Sequence, residues 1–335
     1  MNIDFVVTWV DGSDPEWLKE KNQYMQKNEK EGGENRYRDM ETLKYWFRAV
    51  EAYAPWVNKI HFVTWGHLPE WLNTDNPKLH IVNHKDYIPD KYLPTFSSHP
   101  IELNMHRIPG LSEHFVYFCD DMFLNGPINP EFFFKNGLPC DYANLTNVWL
   151  ESSDDGYGHI LFTEVHEISR FFSYAKSFFK NIGHYVNFAY PWKANLRNIL
   201  KLENKNLFVG FDNHHLASPY LKSTLEEVWE KDEATLDKIC YNRFRTPYDV
   251  SQSIFRYWQL ASGKFSVVSK KSRGKVFSLL NDLSELQNIV ADEECKMLCI
   301  NDSSYVDFDY SKQTVIKSFE KKFPEKSTFE NQAEN

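Results

Sequence analysis

Apolar positions in the first third of the chain come in short bursts separated by turn-forming polar stretches. "IDFVVTWV" is a run of β-branched and aromatic residues that breaks at Asp11-Gly12-Ser13-Asp14-Pro15, so a strand followed by a loop is expected. Leu43, Trp46, Phe47 and Val50 recur at helical spacing, with Asp39 placed to cap the start and Pro55 beyond the end. "KIHFVTW" (59–65), "KLHIV" (78–82) and residues 114–119 read as further strands. Ahead of the last of these, Pro100 suits a first helical position. Ile101, Met105 and Ile108 then form one stripe that Pro109-Gly110 stops. Strands alternating with helices predict an α/β fold with a largely parallel sheet of nucleotide-binding type, whose ligands collect beyond the carboxyl ends of strands.

The later pattern is more helical. Residues 166–182, "HEISRFFSYAKSFFKNI", read as an aromatic helix, and 220–231 as an amphipathic one through Leu221, Leu225, Val228 and Trp229. A third helix is expected from Thr246 as cap, Pro247 at the first position and Asp249 completing a capping box. Val250, Ile254, Phe255 and Trp258 then face inward, and Gly263 is the stop. The charged segment 16–38 reads as a solvated helix passing into a loop, and "PEKSTFENQAEN" at the end as disordered.

Composition narrows the function classes. A net charge of −9 leaves no basic footprint for wholesale nucleic-acid binding. No stretch approaches the roughly 18 apolar residues of a membrane span, and no cationic leader precedes the first apolar run, so a soluble, cytoplasmic protein is expected. Cys119, Cys140, Cys240, Cys295 and Cys299 are odd in number and lack a zinc-type pairing, which reads as reduced thiols. With 10 Trp, 18 Tyr and 26 Phe, the chain has ample rings for a core and for stacking on sugars or bases.

"FVYFCDDMFLNGP" (115–127) sets two carboxylates directly behind a buried-type strand. Ionised Asp is rarely buried without compensation. Asp120 and Asp121 therefore read either as a hard-cation site that shares the metal with substrate phosphates or as a turn cap with a solvated neighbour. Asp4, Asp11 and Asp14 repeat the theme at another strand, where an ordinary turn is the alternative. Glu102 and His106, four apart with Arg107 adjacent, share a helix face and read as a phosphate or proton-transfer trio, or as a surface ion pair. "FDNHHLASP" carries His214 and His215 in a loop. Arg243 and Arg245 precede the expected helix start at Thr246, a suitable anion site. "MLCINDSS" ends an apolar run on Asn301 and Asp302, as a further metal ligand pair or as a turn.

Taken together, "IDFVVTWVDGSDPEW", "RYRDMETLKYWFRAVEAYAPWVNKIHFVTWG", "HPIELNMHRIPGLSEHFVYFCDDMFLNGPI", the block from "NHHLASPY" through "FRTPYDVSQSIFRYW", and "CINDSS" with "FPEKSTFE" resemble the successive conserved regions of the Stealth family. That family includes bacterial capsular and cell-wall polysaccharide phosphotransferases and the catalytic subunit of N-acetylglucosamine-1-phosphotransferase. The resemblance implies a nucleotide-sugar-transferase-like fold with a helical, aromatic-rich insertion. It also implies transfer of a hexose-1-phosphate from a UDP-sugar to a saccharide hydroxyl, with UMP released. By motif match it marks Asp4, Glu102, Asp121, His215 and Arg245, with Asp302 in the last block.

The roles expected under that resemblance are specific. Asp120, Asp121, Asp302 and Asn301 bind Mg²⁺ or Mn²⁺, Arg245 neutralises the transferred phosphate, His215 is the base, and Glu102 orients acceptor or base. Asp4, Trp9, Asp11 and Arg107 serve donor binding. The expected divisions are 1–140 for the nucleotide-sugar-binding part, 141–265 for a mostly helical part with the His/Arg site, 266–325 completing the site, and 326–335 as a flexible tail. The chain lacks the spans and inserted modules of the large eukaryotic members, so a cytosolic capsule-assembly enzyme acting on a lipid-linked saccharide is expected. The basic stretch 264–275 and the expected tail helix with Val315, Ile316, Phe319 and Phe323 beside several Lys read as a peripheral membrane contact or as a solvated face. A metal-dependent glycosyltransferase releasing UDP and a non-catalytic sugar-binding scaffold are the alternatives.

Overall fold

The computed structural model describes residues 1–25, 37–149, 157–204, 206–279, 282–303 and 305–332. Most of the loop expected within 16–38 and the last three residues of the tail lie outside them. The first part runs β1 (Ile3–Thr8), α1 (Pro15–Tyr24), α2 (Leu43–Tyr53), β2 (Ile60–Thr64), β3 (Leu79–Asn83), the single turn α3 (His84–Tyr87), α4 (Ser98–Leu103) and β4 (His114–Phe118). Short strands β5 (Met122–Leu124), β6 (Phe134–Lys135) and β7 (Leu138–Asp141) follow. A helical insertion comes next: α5 (Tyr157–Phe171), α6 (Tyr174–Lys180), α7 (Ile182–Tyr185) and α8 (Trp192–Leu200). The chain closes with β8 (Ser218–Leu221), α9 (Lys222–Cys240), α10 (Ser253–Ser262), β9 (Ser266–Val267), β10 (Lys275–Ser278), α11 (Leu283–Ala291), β11 (Met297–Asn301) and α12 (Phe308–Lys322).

The fold is α/β. Its main sheet has the order β3-β2-β1-β4-β8, parallel throughout except for β8, which runs against β4. Side chains alternate across β1 and β4, so Phe5, Val7, Val116 and Phe118 enter a core with α2, α11 and α12. Val6, Phe115 and Tyr117 enter a second core with α9 and α10 on the other face. A sheet covered on both faces leaves its carboxyl edge as the place where polar residues can gather. The antiparallel pairing decides what meets there: His114 faces Leu221 and Tyr117 faces Ser218. Continued past the last pair, that register sets His215 opposite Asp120. A second sheet, β10-β11-β5, pairs Cys299 with Met122 and ties the Ile300 amide to the Asp121 carbonyl at 3.0 Å.

Several sequence expectations are corrected. Asp39 does not cap α2; Thr42 occupies that position and Asp39 accepts from the Glu41 amide instead. The helix expected from Pro100 to Ile108 ends at Leu103, because the Asn104 side chain donates Nδ2–H back to the Pro100 carbonyl at 2.8 Å and a 3₁₀ turn, Met105–Arg107, redirects the chain. The 166–182 helix is broken between α5 and α6. The helix expected at Thr246 starts at Ser253, since the Asp249 carboxylate closes a turn on the Thr246 amide and hydroxyl and also holds His99 at 2.8 Å. Gly263 does end that helix, at φ 78°.

The tail is not loose over 326–332: Phe329 joins the core and Arg48 grips Glu330 with two bonds of 2.7 Å. Val315, Phe319 and Phe323 are likewise buried in the core. Within the basic stretch Lys264 pairs with Glu227, Lys270 with Asp212, and Arg273 is buried, which leaves Lys271 and Lys275 as its exposed cations without an ion pair among the described residues. The five cysteines are free, and among the described residues no helix is long and apolar enough to cross a membrane.

Candidate active site

An open cleft of about 830 Å³, counted out to its mouth, lies at the carboxyl ends of β1 and β4. Thr8, Trp9 and Val10 leave β1 into it, and Tyr117, Cys119 and Asp120 leave β4. Ser98, Ile101 and Glu102 of α4 form one wall, and Trp17, Tyr37 and Arg245 close it. The turn after β1 is tight enough that a Cβ on Gly12 would sit 2.2 Å from the Tyr37 carbonyl oxygen, which is why glycine stands there.

At the rim, His215 Nε2 lies 3.2 Å from Asp121 Oδ2. Cys299 Sγ approaches the same oxygen at 3.4 Å and Asn301 Oδ1 at 3.3 Å. Asp121 Oδ1 is buried with no hydrogen-bond partner. Ligand atoms of Asp121, His215 and Cys299 all fall within 4.8 Å of one another. Asp120 sits on the cleft wall with its tip open; loss of surrounding solvent, then the charges of Asp121 and Asp39, push its carboxyl up to about 7. Burial would lower the His215 imidazole, but the bond to Asp121 and the charges of Asp121 and Glu102 outweigh it and hold it above its ordinary value.

The loop that presents His215 is clamped from below. Arg256 of α10 holds Asp141 through two bonds of 2.8 Å and reaches Asn213 at 2.9 Å. His214 contacts the Tyr142 hydroxyl at 3.1 Å; burial and the Arg256 and Arg273 charges keep it neutral, so His215 alone of the pair titrates at the rim. Arg245 enters from the loop after α9 and donates to the Ser98 hydroxyl at 2.7 Å. Both Glu102 oxygens are engaged, one by the Tyr117 hydroxyl at 3.2 Å and one by the Gln252 amide, at the start of α10, at 3.1 Å.

Asp120, Asp121, His215, Arg245, Glu102, Trp9 and Asn301 are thus brought to one rim and cleft, while four expected residues fall elsewhere. Asp4 is fully buried near the amino end of β1, its carboxylate bound to Asn58 at 2.7 Å, the Ser112 amide at 2.8 Å and His61 at 3.2 Å. Arg107 packs over the Trp229 ring and bonds Asn104, turned away with the 3₁₀ segment; His106 is buried against the same ring, so the Glu102 trio does not form. Asp11 spends one oxygen on the Ser13 amide and hydroxyl within its own turn. Asp302 is held by Arg38 at 2.7 and 3.0 Å rather than turned to the Asp pair.

Sequence reasoning missed Cys299, Tyr117 and Arg38. Cys299 was two residues from Asn301 in "MLCINDSS", and strand alternation alone would have placed the two side chains on one face. Arg38 carries no such signal, since its partner lies 264 positions away.

Comparison with known proteins follows the same segments. The family model for Stealth conserved region 1 matches residues 1–29 and that for conserved region 2 matches residues 36–141. A capsular polysaccharide phosphotransferase, WcwK, of Streptococcus pneumoniae is 42% identical over 98% of this chain and 99% of its own. A receptor polysaccharide phosphotransferase, WefC, of Streptococcus gordonii is 41% identical over 98% of each chain. An exopolysaccharide phosphotransferase, cps2G, of Lactiplantibacillus plantarum is 36% identical over 98% of this chain and 96% of its own. Among solved structures, the galactosyltransferase LgtC aligns over 94% of this chain and 95% of that one, at 12% identity and a TM-score of 0.38, too distant a likeness to bear on the reaction.

Proposed function

Since the chain belongs to the Stealth family and is a phosphotransferase, we propose that it moves a hexose-1-phosphate, such as GlcNAc-, GalNAc- or Gal-1-phosphate, from a UDP-sugar to a saccharide hydroxyl during capsular or cell-surface polysaccharide synthesis. The acceptor oxygen attacks the β-phosphorus of the donor. The bond from that phosphorus to the bridging oxygen breaks, and UMP leaves with the bridging oxygen and its electron pair. The product is a phosphodiester between two sugars.

The observation that supports this reading is the 3.2 Å contact of His215 Nε2 with Asp121 Oδ2 on the rim of the cleft that Arg245 and Glu102 line. With Nε2–H donating to Asp121, His215 Nδ1 is free to take the proton of the acceptor hydroxyl, and Asp121 steadies the imidazolium that forms. Arg245 offers its guanidinium to the phosphate oxygens, as positioning and charge neutralisation dominate phosphoryl transfer. Glu102, with both oxygens engaged, orients the cleft wall rather than exchanging protons. The orphaned Asp121 Oδ1 and the adjacent Asp120 carboxyl fit a divalent cation, Mg²⁺ or Mn²⁺, held by these two carboxylates. Such a cation supplies neutralisation of charge on the diphosphate.

The test is product analysis with purified protein, a panel of UDP-sugars, Mg²⁺ or Mn²⁺ and a saccharide acceptor. UMP and a phosphodiester resonance in the phosphorus NMR spectrum are expected. UDP in place of UMP would make the protein a glycosyltransferase, and no turnover with any donor would leave the scaffold reading.

A further inference from the structure

The helical insertion contains a helix packed the wrong way round for a soluble protein. On α8 the residues turned inward are Ala194 and Asn198. Asn198 is fully buried and serves as a polar anchor: it accepts from the Leu145 amide and donates to the carbonyls of Ala143 and Tyr185. The residues at i, i+4, i+7 and i+8 that would ordinarily seal a core, Trp192, Leu196, Ile199 and Leu200, face out, with Trp192 69% and Leu200 60% exposed. Neighbouring elements continue the pattern. Phe188, fully exposed, follows Asn187, whose backbone amide and carbonyl are both held by the Asn195 side chain of α8, and Phe179 and Ile182 stand exposed at the α6–α7 junction. Apolar side chains grouped this way on a folded surface mark a place where another apolar body sits.

Charge says which kind. Between residues 172 and 207 the sequence has six basic residues, Lys176, Lys180, Lys193, Arg197, Lys201 and Lys205, against one acidic residue, Glu203, in a chain whose overall charge is −9. Lys176, Lys180 and Lys193 are exposed. Among the described residues none of Lys176, Lys180, Lys193, Arg197 and Lys201 forms an ion pair, whereas two of the four lysines of the 264–275 stretch, Lys264 and Lys270, pair with Glu227 and Asp212. An exposed Trp/Leu/Ile/Phe face ringed by unpaired Lys and Arg is the composition of helices that lie in a bilayer interface and prefer anionic lipid. A protein partner of acidic surface would be served by the charges but not by the four large outward side chains of α8, Trp192, Leu196, Ile199 and Leu200.

We propose that α8, with the exposed edges of α6 and α7, is a docking face for an anionic lipid bilayer. It seats the enzyme on the membrane surface without crossing it. The insertion leaves the body after β7 and returns into the loop that presents His215, so the membrane-bound face and the catalytic loop belong to one continuous segment. The face stands independently of the donor and leaving group assigned to the reaction.

Flotation of the full-length protein with vesicles tests this directly. With phosphatidylcholine vesicles containing phosphatidylglycerol, at least tenfold more protein is expected to float than with phosphatidylcholine alone, and raised salt should reduce it. The triple variant Trp192→Gln/Leu196→Gln/Leu200→Gln should lose at least tenfold of the binding while keeping its circular dichroism spectrum and its turnover of soluble acceptor. If the triple variant fails to fold, Ile199→Gln alone, at an exposed position, should show the same loss in smaller measure. Equal flotation with neutral vesicles, no flotation at all, or undiminished binding of these variants would overturn the proposal. So would a concentration-dependent dimer that the same substitutions dissolve, since the face would then belong to a second copy of the chain.

Discussion

Two aspartates on the main sheet carry the same carboxyl group and share almost nothing else. Asp4, near the amino end of β1, is sealed from solvent and meets three donors, so burial, which alone would raise its carboxyl, is outweighed by the bonds from His61, Asn58 and Ser112 and the group is held below its ordinary value. Asp121, just past the carboxyl end of β4, keeps one oxygen orphaned and lends the other to His215 and Cys299, while its neighbour Asp120 is pushed up to about 7. The first carboxylate is finished by the fold; the second is left incomplete. Unsatisfied charge at the carboxyl edge of a parallel sheet is what a substrate or ion completes, whereas a satisfied one is part of the scaffold.

The strongest way to sharpen that contrast is to remove the unfinished groups. Asp121→Asn and His215→Gln are each expected to lower UMP release by about a thousandfold, roughly 4 kcal/mol of barrier; the melting temperature stays level or rises for Asp121→Asn, which relieves the repulsion with Asp120, and stays level or falls slightly for His215→Gln, which removes the partner of Asp121. Initial rates beside thermal melts of the same preparations check it. Activity within a few-fold of the parent would move the reaction elsewhere.

Asp4→Ala should do the reverse. It strands the Ser112 amide, Asn58 and His61 in the interior, at a cost of about 3 kcal/mol of folding stability, with turnover per folded molecule retained. Because the folded carboxyl titrates below the unfolded value of 3.8, its contribution is present above that pH and fades as pH falls through the folded value. Urea melts of parent and variant should therefore converge in acid. A variant that melts normally but is inactive would return Asp4 to the donor site.

That pair also shows what the sequence could and could not reveal. The strand "IDFVVTWV", the turn after it and the Asp pair behind 114–118 are legible from local periodicity, and the cleft forms where those strand ends point. The resemblance marked Asp4 and Asp121 alike, because a motif match records that a residue is needed without saying for what. Distinguishing them requires knowing that Asn58, His61 and Ser112 converge on Asp4, a fact of the registers of β1 with β2 and with β4. Arg107 and the Thr246 helix start were misplaced for a related reason: Asn104 and Asp249 each use a short polar side chain to close a local turn, which overrides the helical stripe around them. His215 was marked without its geometry, which follows only from β8 running antiparallel to β4.

A third carboxyl tests whether a raised pKa alone identifies a site. Glu164 on α5 is fully buried. It accepts from the Ser251 amide and hydroxyl on one oxygen and has nothing on the other, and burial pushes it up to about 8. In the window between 4.5 and 8 the folded state keeps a proton that the unfolded state has released, so stability falls as pH rises through it. Glu164→Gln preserves the Ser251 bonds and removes the charge. It is expected to flatten that decline, gaining on the order of 1–2 kcal/mol by pH 8 with activity unchanged. A loss of turnover would extend the site to α5.

The smallest effect separates the expected metal ligands from the observed ones. Asp302 stands next to Asn301, whose amide oxygen does reach Cys299, yet its carboxylate is occupied by the Arg38 guanidinium through two bonds and its own Ser303 amide through a third. An acid already paired with a cation inside the protein has little charge left to offer a second one. Asp302→Asn keeps the shape and weakens only the partly exposed ion pair, so about 0.5–1 kcal/mol of stability and less than about a threefold change in activity are expected. The concentration of Mg²⁺ or Mn²⁺ giving half-maximal rate should hardly move. If it rises tenfold or more while Asp121→Asn behaves as above, Arg38 releases Asp302 in the working enzyme, and the two regions contrasted here are joined by a switch rather than divided by their partners.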